Sequence, residues 1–156
     1  MSAKTERLPY VDEHAAKVAA DREATWEALL RVVEGTVSGG AASRFARLLG
    51  CADTQAGGPR PLAAGSTVPG FHVATAEAPA ELHLAGRHRF SRYALIFRVD
   101  PLAPDRSRVR AETRAEFPGL KGAAYRTLVI GTRGHVVVTR RILSAVKRRA
   151  ERAPAA

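Results

Sequence analysis

Asp12 and His14 are the first pair in this chain whose types and spacing can do chemistry. Residues two apart project from one face of a strand. A carboxylate near an imidazole raises the imidazole's proton affinity and makes an acid–base pair. Same-face neighbours stand about 7 Å apart along a strand, so the spacing alone does not supply a direct hydrogen bond. The plain reading is two solvated side chains on an edge strand. His88 shares strand parity with Leu84 and Phe90, which suits a third acid–base group on a pocket wall or a hydrogen-bonded structural histidine. His135 borders an apolar helical stripe, where it can cap a cavity. His72 and His83 have no partner in the pattern.

Other chemistries lack their residues. The five histidines show no close ligand spacing, so no metal is assigned. Cys51 is the only cysteine, which rules out an internal disulfide and a thiolate metal centre within one chain; it reads as a small half-buried residue. Gly131-Thr-Arg-Gly134 lacks the Lys-Ser/Thr ending and the preceding strand of a phosphate loop. No serine sits in a nucleophile elbow. No cofactor is assigned.

The elements that must hold these residues follow from periodicity. From Arg108 to Glu116 every even position is charged, while Val109, Ala111, Thr113, Ala115 and Phe117 are small or apolar. That is a strand with one wet and one dry face. Its dry side chains are small, so something bulky covers them or a space remains. Tyr10 to Ala19 reads as the first strand. If Val18 points inward, parity turns Asp12 and His14 inward too. Asp21 is an N-cap with Glu23 in the first turn, and Thr25, Ala28, Leu29, Val32 and Val33 form the helical face behind it. Ser43 is read as the cap of a short second helix that buries Phe45, Leu48 and Leu49 and stops at Gly50.

Cys51 to Gly70 reads as a long loop, rich in glycine and proline, with a short strand within Pro61 to Val68. Poor in large apolar anchors, Gly57 to Gly70 is expected to be mobile and to gate a pocket mouth flanked by Phe45 and Phe71. Phe71–Ala76, Glu81–Phe90 and Arg92–Leu102 read as strands, the last with Tyr93, Leu95, Phe97 and Val99 on one face. The segment Thr127–Thr139 also passes as a hairpin with a glycine-flanked turn. A helix is preferred, because Tyr125, Leu128, Val129, Thr132, Val136, Thr139, Leu143, Val146 and Ala150 fall within one third of a helical wheel. Burying that stripe at about 25 cal/mol per Å² outweighs the two glycines, at about 1 kcal/mol each. One helix is therefore expected from near Lys121 to near Arg149.

The bulk numbers set the frame. A chain of 156 residues, 46% hydrophobic, is long enough for one domain with a core. We read residues 10–152 as that domain, 1–9 as a flexible tail and 153–156 as a disordered one. No run of eighteen apolar residues exists. Met1 to Tyr10 lacks an apolar signal region, which points to the cytoplasm. The net charge of +10 permits attraction to nucleic acid or an anionic surface, with Arg87, Arg89 and Arg92 as the local cluster. Only four of the 25 basic residues are lysine, and the chain is rich in Ala, Gly and Pro, a bias that looks like a GC-rich genome rather than a selected binding face.

The run Val18-Ala-Ala-Asp-Arg-Glu-Ala-Thr-Trp26-Glu-Ala-Leu resembles the opening of the START-like (SRPBCC) superfamily, where a strand turns through small residues into a helix bearing an aromatic. Gly86-Arg-His-Arg-Phe, Thr113-Arg-Ala-Glu-Phe-Pro-Gly and Gly122-Ala-Ala-Tyr-Arg look like an actinobacterial-type branch. The resemblance covers about residues 10–150. It implies an α+β helix-grip fold: six or seven antiparallel strands curved around a long C-terminal helix, with two small helices after the first strand. It also implies a small hydrophobic or amphipathic ligand, such as a lipid, polyketide or isoprenoid, and a monomer or homodimer. No family-wide catalytic residue exists to carry over.

The expected ligand wall combines both readings. It takes Phe45 and Phe71 at the mouth, and Leu84, His88, Tyr93, Leu95, Phe97, Thr113 and Ala115 from the sheet. The helix adds Tyr125, Leu128, Thr132, His135 and Val136. The alternatives are a cyclase or hydratase using Asp12, His14 or His88, and the basic binding module.

Overall fold

The computed structural model describes residues 8–37, 39–131 and 133–153. Six strands form one antiparallel sheet: β1 (Tyr10–Val18), β2 (Thr67–Val68), β3 (Phe71–Glu77), β4 (Glu81–His88), β5 (Ser91–Ala103) and β6 (Arg106–Glu116). Their spatial order is β1-β6-β5-β4-β3-β2, so the chain leaves β1 for the far edge and meanders back to pair with it. Helices α1 (Arg22–Val37) and α2 (Gly40–Leu49) occupy that crossing. Helices α3 (Gly119–Gly131) and α4 (Gly134–Arg152) follow β6. This is the α+β helix-grip architecture, with α4 held against the curved sheet. Among the described residues no helix is long and apolar enough to cross a membrane.

The alternation in β6 has a structural counterpart on each face. Val109 and Ala111 are fully buried and belong to the core. The charged positions pair across the sheet instead. Arg108 and Arg110 reach Asp100 on β5 at 3.2 and 2.7 Å, and Arg98 bridges Glu81 at 2.9 Å and Glu112 at 2.6 Å. The hydrogen bond from Arg110 holds the Asp100 carboxyl below the usual carboxylate range. Burial pushes Glu112 up, but hydrogen bonds from Arg98 and Arg114 outweigh it and leave its pKa lowered.

Asp21 caps α1, accepting the Ala24 N–H at 2.7 Å. Behind it Thr25, Trp26, Ala28, Leu29, Leu30 and Val33 are buried. The second helix departs from its sequence reading. It starts at Gly40 behind Gly39, which has the extended backbone of an N-cap, so Ser43 lies inside the helix and does not cap it. Phe45 and Leu48 are exposed, and Ala46 is the residue turned inward. An apolar stripe marks one face of a helix but does not supply the surface to cover it.

The C-terminal segment is helical, as its stripe requires, but it is two helices rather than one. Arg133 takes a left-handed φ of 55° between Gly131 and Gly134. Two glycines three residues apart weaken the ladder by about 1 kcal/mol each, enough to place the break there. The loop before β3 holds the short strand expected within Pro61 to Val68, as β2, and ties of its own. Gly57 bridges Thr67, Arg60 donates to the carbonyls of Gly57, Pro59 and Thr67, and the Ser66 hydroxyl donates to Pro59 O at 2.7 Å. Leu62, Ser66 and Val68 are buried, so the loop has anchors that its composition conceals.

Candidate functional site

The concave face of the sheet is filled at one end and open at the other. At the filled end α1 and the second half of α4 pack Trp26, Leu29, Val33, Ile142, Leu143 and Val146 against Leu82, Leu84, Phe97, Val99 and Val109. Two to four residues further along each strand the wall changes. His88 on β4, Tyr93 and Leu95 on β5, and Thr113 and Ala115 on β6 face a cavity of about 400 Å³. Its remaining walls come from Ala42, Phe45, Ala46 and Leu49 of α2, from Cys51, and from Pro69, Gly70 and Phe71. Phe117, Tyr125 of α3, and Gly134, His135, Val138 and Thr139 of α4 close it. Small side chains on β6 and α4 leave the volume unfilled.

A chain of rings lines one side. Phe71 meets Tyr93 edge-on at 5.2 Å between centroids, and His88 lies 5.5 Å from Tyr93 and 4.7 Å from Tyr125. Gly86 makes room for this arrangement, because a Cβ there would collide with the Gly70 carbonyl and the Tyr93 ring. The Tyr93 hydroxyl donates to Gly70 O at 2.6 Å and stands 3.7 Å from Cys51 Sγ. Burial, reinforced by Cys51, pushes its phenol above the ordinary value. Burial does the same to Tyr125. His88 Nδ1 accepts the Phe90 N–H at 3.1 Å, so in the neutral ring Nε2–H donates to Ser91 Oγ, also at 3.1 Å. Burial lowers its pKa, consistent with that neutral, doubly bonded ring. Two hydrogen bonds thus fix the His88 ring on the cavity wall.

The polar end lies between β1 and α4. Val18 is buried, and the same parity turns Asp12 and His14 half inward. Asp12 Oδ2 accepts from His14 Nε2 at 3.2 Å and from His135 Nε2 at 2.8 Å. Burial raises the Asp12 pKa, but the two imidazole hydrogen bonds outweigh it and the net shift is downward. The register sets Asp12 opposite Thr113 of the cavity wall, just past an irregularity in the β1–β6 pairing. Asp12 Oδ1 and Thr113 Oγ1 are buried with no hydrogen-bond partner among the described residues. Asp12, His14 and His135 can thus move a proton between the carboxylate and either imidazole, next to an otherwise apolar space.

Of the expected ligand wall, Phe45, Phe71, His88, Tyr93, Leu95, Thr113, Ala115, Tyr125 and His135 border the cavity. Leu84 and Phe97 do not; they lie in the filled half, packed under the helices. Leu128 is exposed on α3, and Val136 is half-buried but off the wall, where Val138 and Thr139 stand instead. Thr132 lies outside the described residues. Sequence reasoning missed Phe117, whose parity with Thr113 and Ala115 was a usable signal, and Cys51, which carried none. In the basic cluster Arg92 pairs with Glu116 at 3.5 Å, and the Arg89 side chain packs beside Gly50.

Solved structures with the same layout align over nearly the whole chain. Norcoclaurine synthase from Thalictrum flavum superposes with a TM-score of 0.58 at 13% identity, over 94% of this chain and 98% of its own. CalU16 from Micromonospora echinospora gives 0.54 at 11% identity, over 91% and 76%. The fold is START-like. At these identities the likeness concerns the START-like backbone alone. No protein-family model matches the sequence, and no curated protein matches it. In this chain the cavity lies where the sheet, α4 and the small helix α2 meet.

Proposed function

We propose that this chain binds a small apolar or amphipathic molecule of the lipid, polyketide or isoprenoid kind, in the cytoplasm, in the cavity between β4–β6 and α4. The observation that carries the reading is the cavity itself: about 400 Å³ with almost wholly apolar walls, opened by small residues on the same strands that pack densely elsewhere. Ligand sites are typically about 300–1,000 Å³, apolar, with a few polar groups that fix orientation. The rings of Phe71, Tyr93, Tyr125 and Phe117 favour a flat or ring-bearing ligand. Norcoclaurine synthase, which shares the backbone layout, was solved in a complex with dopamine and hydroxybenzaldehyde. Native mass spectrometry of freshly purified protein tests the reading. A co-purified apolar molecule that Ala115→Trp excludes supports it; a ligand retained equally by that variant removes the cavity from the account.

One observation favours a second reading, that of an enzyme. The 2.8 Å bond between His135 and Asp12, with His14 on the same oxygen, sets an acid–base group at the cavity's edge. A cyclase or hydratase would use it to move a proton on the bound ligand. Turnover of the co-purified molecule that is lost in His14→Ala and His135→Ala, with binding kept, supports the enzyme.

A further inference from the structure

The mouth of the cavity has an unusual rim. Among the described residues eight large hydrophobic side chains are exposed, and six of them lie on α2, α3 and the start of α4. They are Phe45 (61% exposed), Leu48 (74%), Leu120 (92%), Leu128 (63%), Val137 (49%) and Val138 (53%). Phe45 and Val138 also line the cavity, so the apolar rim is continuous with the apolar interior. The same elements are basic without exception. No Asp or Glu occurs between Glu34 and Asp53 or between Glu116 and Glu151, although the chain has 15 acidic residues. Arg44 and Arg47 of α2, Lys121 and Arg126 of α3, and Arg133, Arg140 and Arg141 at the head of α4 are all exposed.

We infer that this rim docks on an anionic lipid bilayer, with the cavity mouth facing the membrane. Aliphatic side chains flanked by arginine and lysine are what an interfacial helix presents: the apolar residues enter the headgroup–acyl boundary and the cations meet anionic lipid. A second copy of this chain would bring like charges face to face. Nucleic acid would match the charge but not the leucines and valines, since base recognition by apolar surface uses stacking rings. A bilayer satisfies both. Docked this way, an apolar molecule passes between membrane and cavity without crossing water. Only that purpose rests on the ligand reading; the docking rests on exposure and charge.

The test is sedimentation with vesicles at low salt. Equal parts of phosphatidylglycerol and phosphatidylcholine should pull the protein down, and phosphatidylcholine alone should not. Binding should weaken as salt shortens the Debye length. Leu48→Asp with Leu120→Asp should reduce binding at least ten-fold, and Arg126→Gln about five-fold, as each basic residue near such a surface contributes about that factor. Leu102→Asp, an exposed apolar position off the rim, should change nothing and serves as the folding control. Binding in Ala115→Trp should persist even where ligand binding is lost, which separates this inference from the cavity reading. No binding to phosphatidylglycerol vesicles, or binding that the rim variants leave intact, overturns it. So does an oligonucleotide affinity that survives Leu48→Asp and exceeds the vesicle affinity.

Discussion

Val99, Phe97, Leu95 and Tyr93 follow one another along the same face of β5, yet the first two meet helices and the last two meet a cavity. On β6 the change falls between Ala111 and Thr113, and on β4 between Leu84 and His88. Along α4 it falls between Leu143 and Thr139. The strands are the same, so the difference comes from what is brought over them. One end has α1 and the apolar half of α4. The other has α2, whose stripe turns outward, and a stretch of α4 built from Gly134, His135, Val138 and Thr139. Half of the grip is closed by core packing, and the other half encloses the cavity.

The largest expected effect is the contrast between the two ends. Phe97→Ala removes a fully buried ring and should cost about 3–5 kcal/mol in urea denaturation. Leu95→Ala, on the cavity wall, should cost about 2 kcal/mol or less, because its far side already lacks packed atoms. Equal losses at both positions would erase the distinction between the ends.

Gly86→Ala comes next. Its new methyl meets the Gly70 carbonyl and the Tyr93 ring, so one must move. A loss of about 1–3 kcal/mol is expected, together with a narrower cavity as Tyr93 tilts inward. A neutral substitution would mean that the ring chain is loosely held.

The smallest effect is on pH dependence, and it sharpens the contrast between a dry wall and the ion-paired strand faces. Asp100 and Glu112 have lowered pKa values in the fold. Their contribution is complete above the ordinary carboxylate range, about pH 4, and is lost as pH falls through their folded values. His88 acts in the same direction: its pKa is lowered in the fold, so below about 6.5 the unfolded chain takes up the proton first. Stability should therefore decline gently below pH ~6.5 and more steeply below pH ~4, each ion pair contributing about 1 kcal/mol or less. Thermal melts across that range check it, and stability that rises on acidification would contradict it.

Much of this was legible in the sequence, for identifiable reasons. Period-two alternation gave β6 and its faces, and parity from Val18 turned Asp12 and His14 inward. The meeting of Asp12 with His135 was not legible, because it joins residues 123 apart through the packing of α4 on β1. Leu84 and Phe97 were placed on the ligand wall because parity names a face but not a position along the strand; α1 decides which end is filled. The apolar stripe from Tyr125 to Ala150 ran unbroken on a wheel, and only the left-handed turn at Arg133 divides it. Ser43 resembled a cap, but Gly39 already supplied the extended backbone that starts α2.

The central claim is that the open end of the grip is a ligand site, and one titration tests it most directly. A naphthalene-type fluorophore is added to the wild-type chain and to Ala115→Trp, with urea denaturation run on both. The account predicts saturable one-to-one binding to the wild type, its loss in the variant, and stability within about 1 kcal/mol between the two, since the added ring enters existing space rather than packed core. Equal binding to both proteins, or none to the wild type, would contradict it.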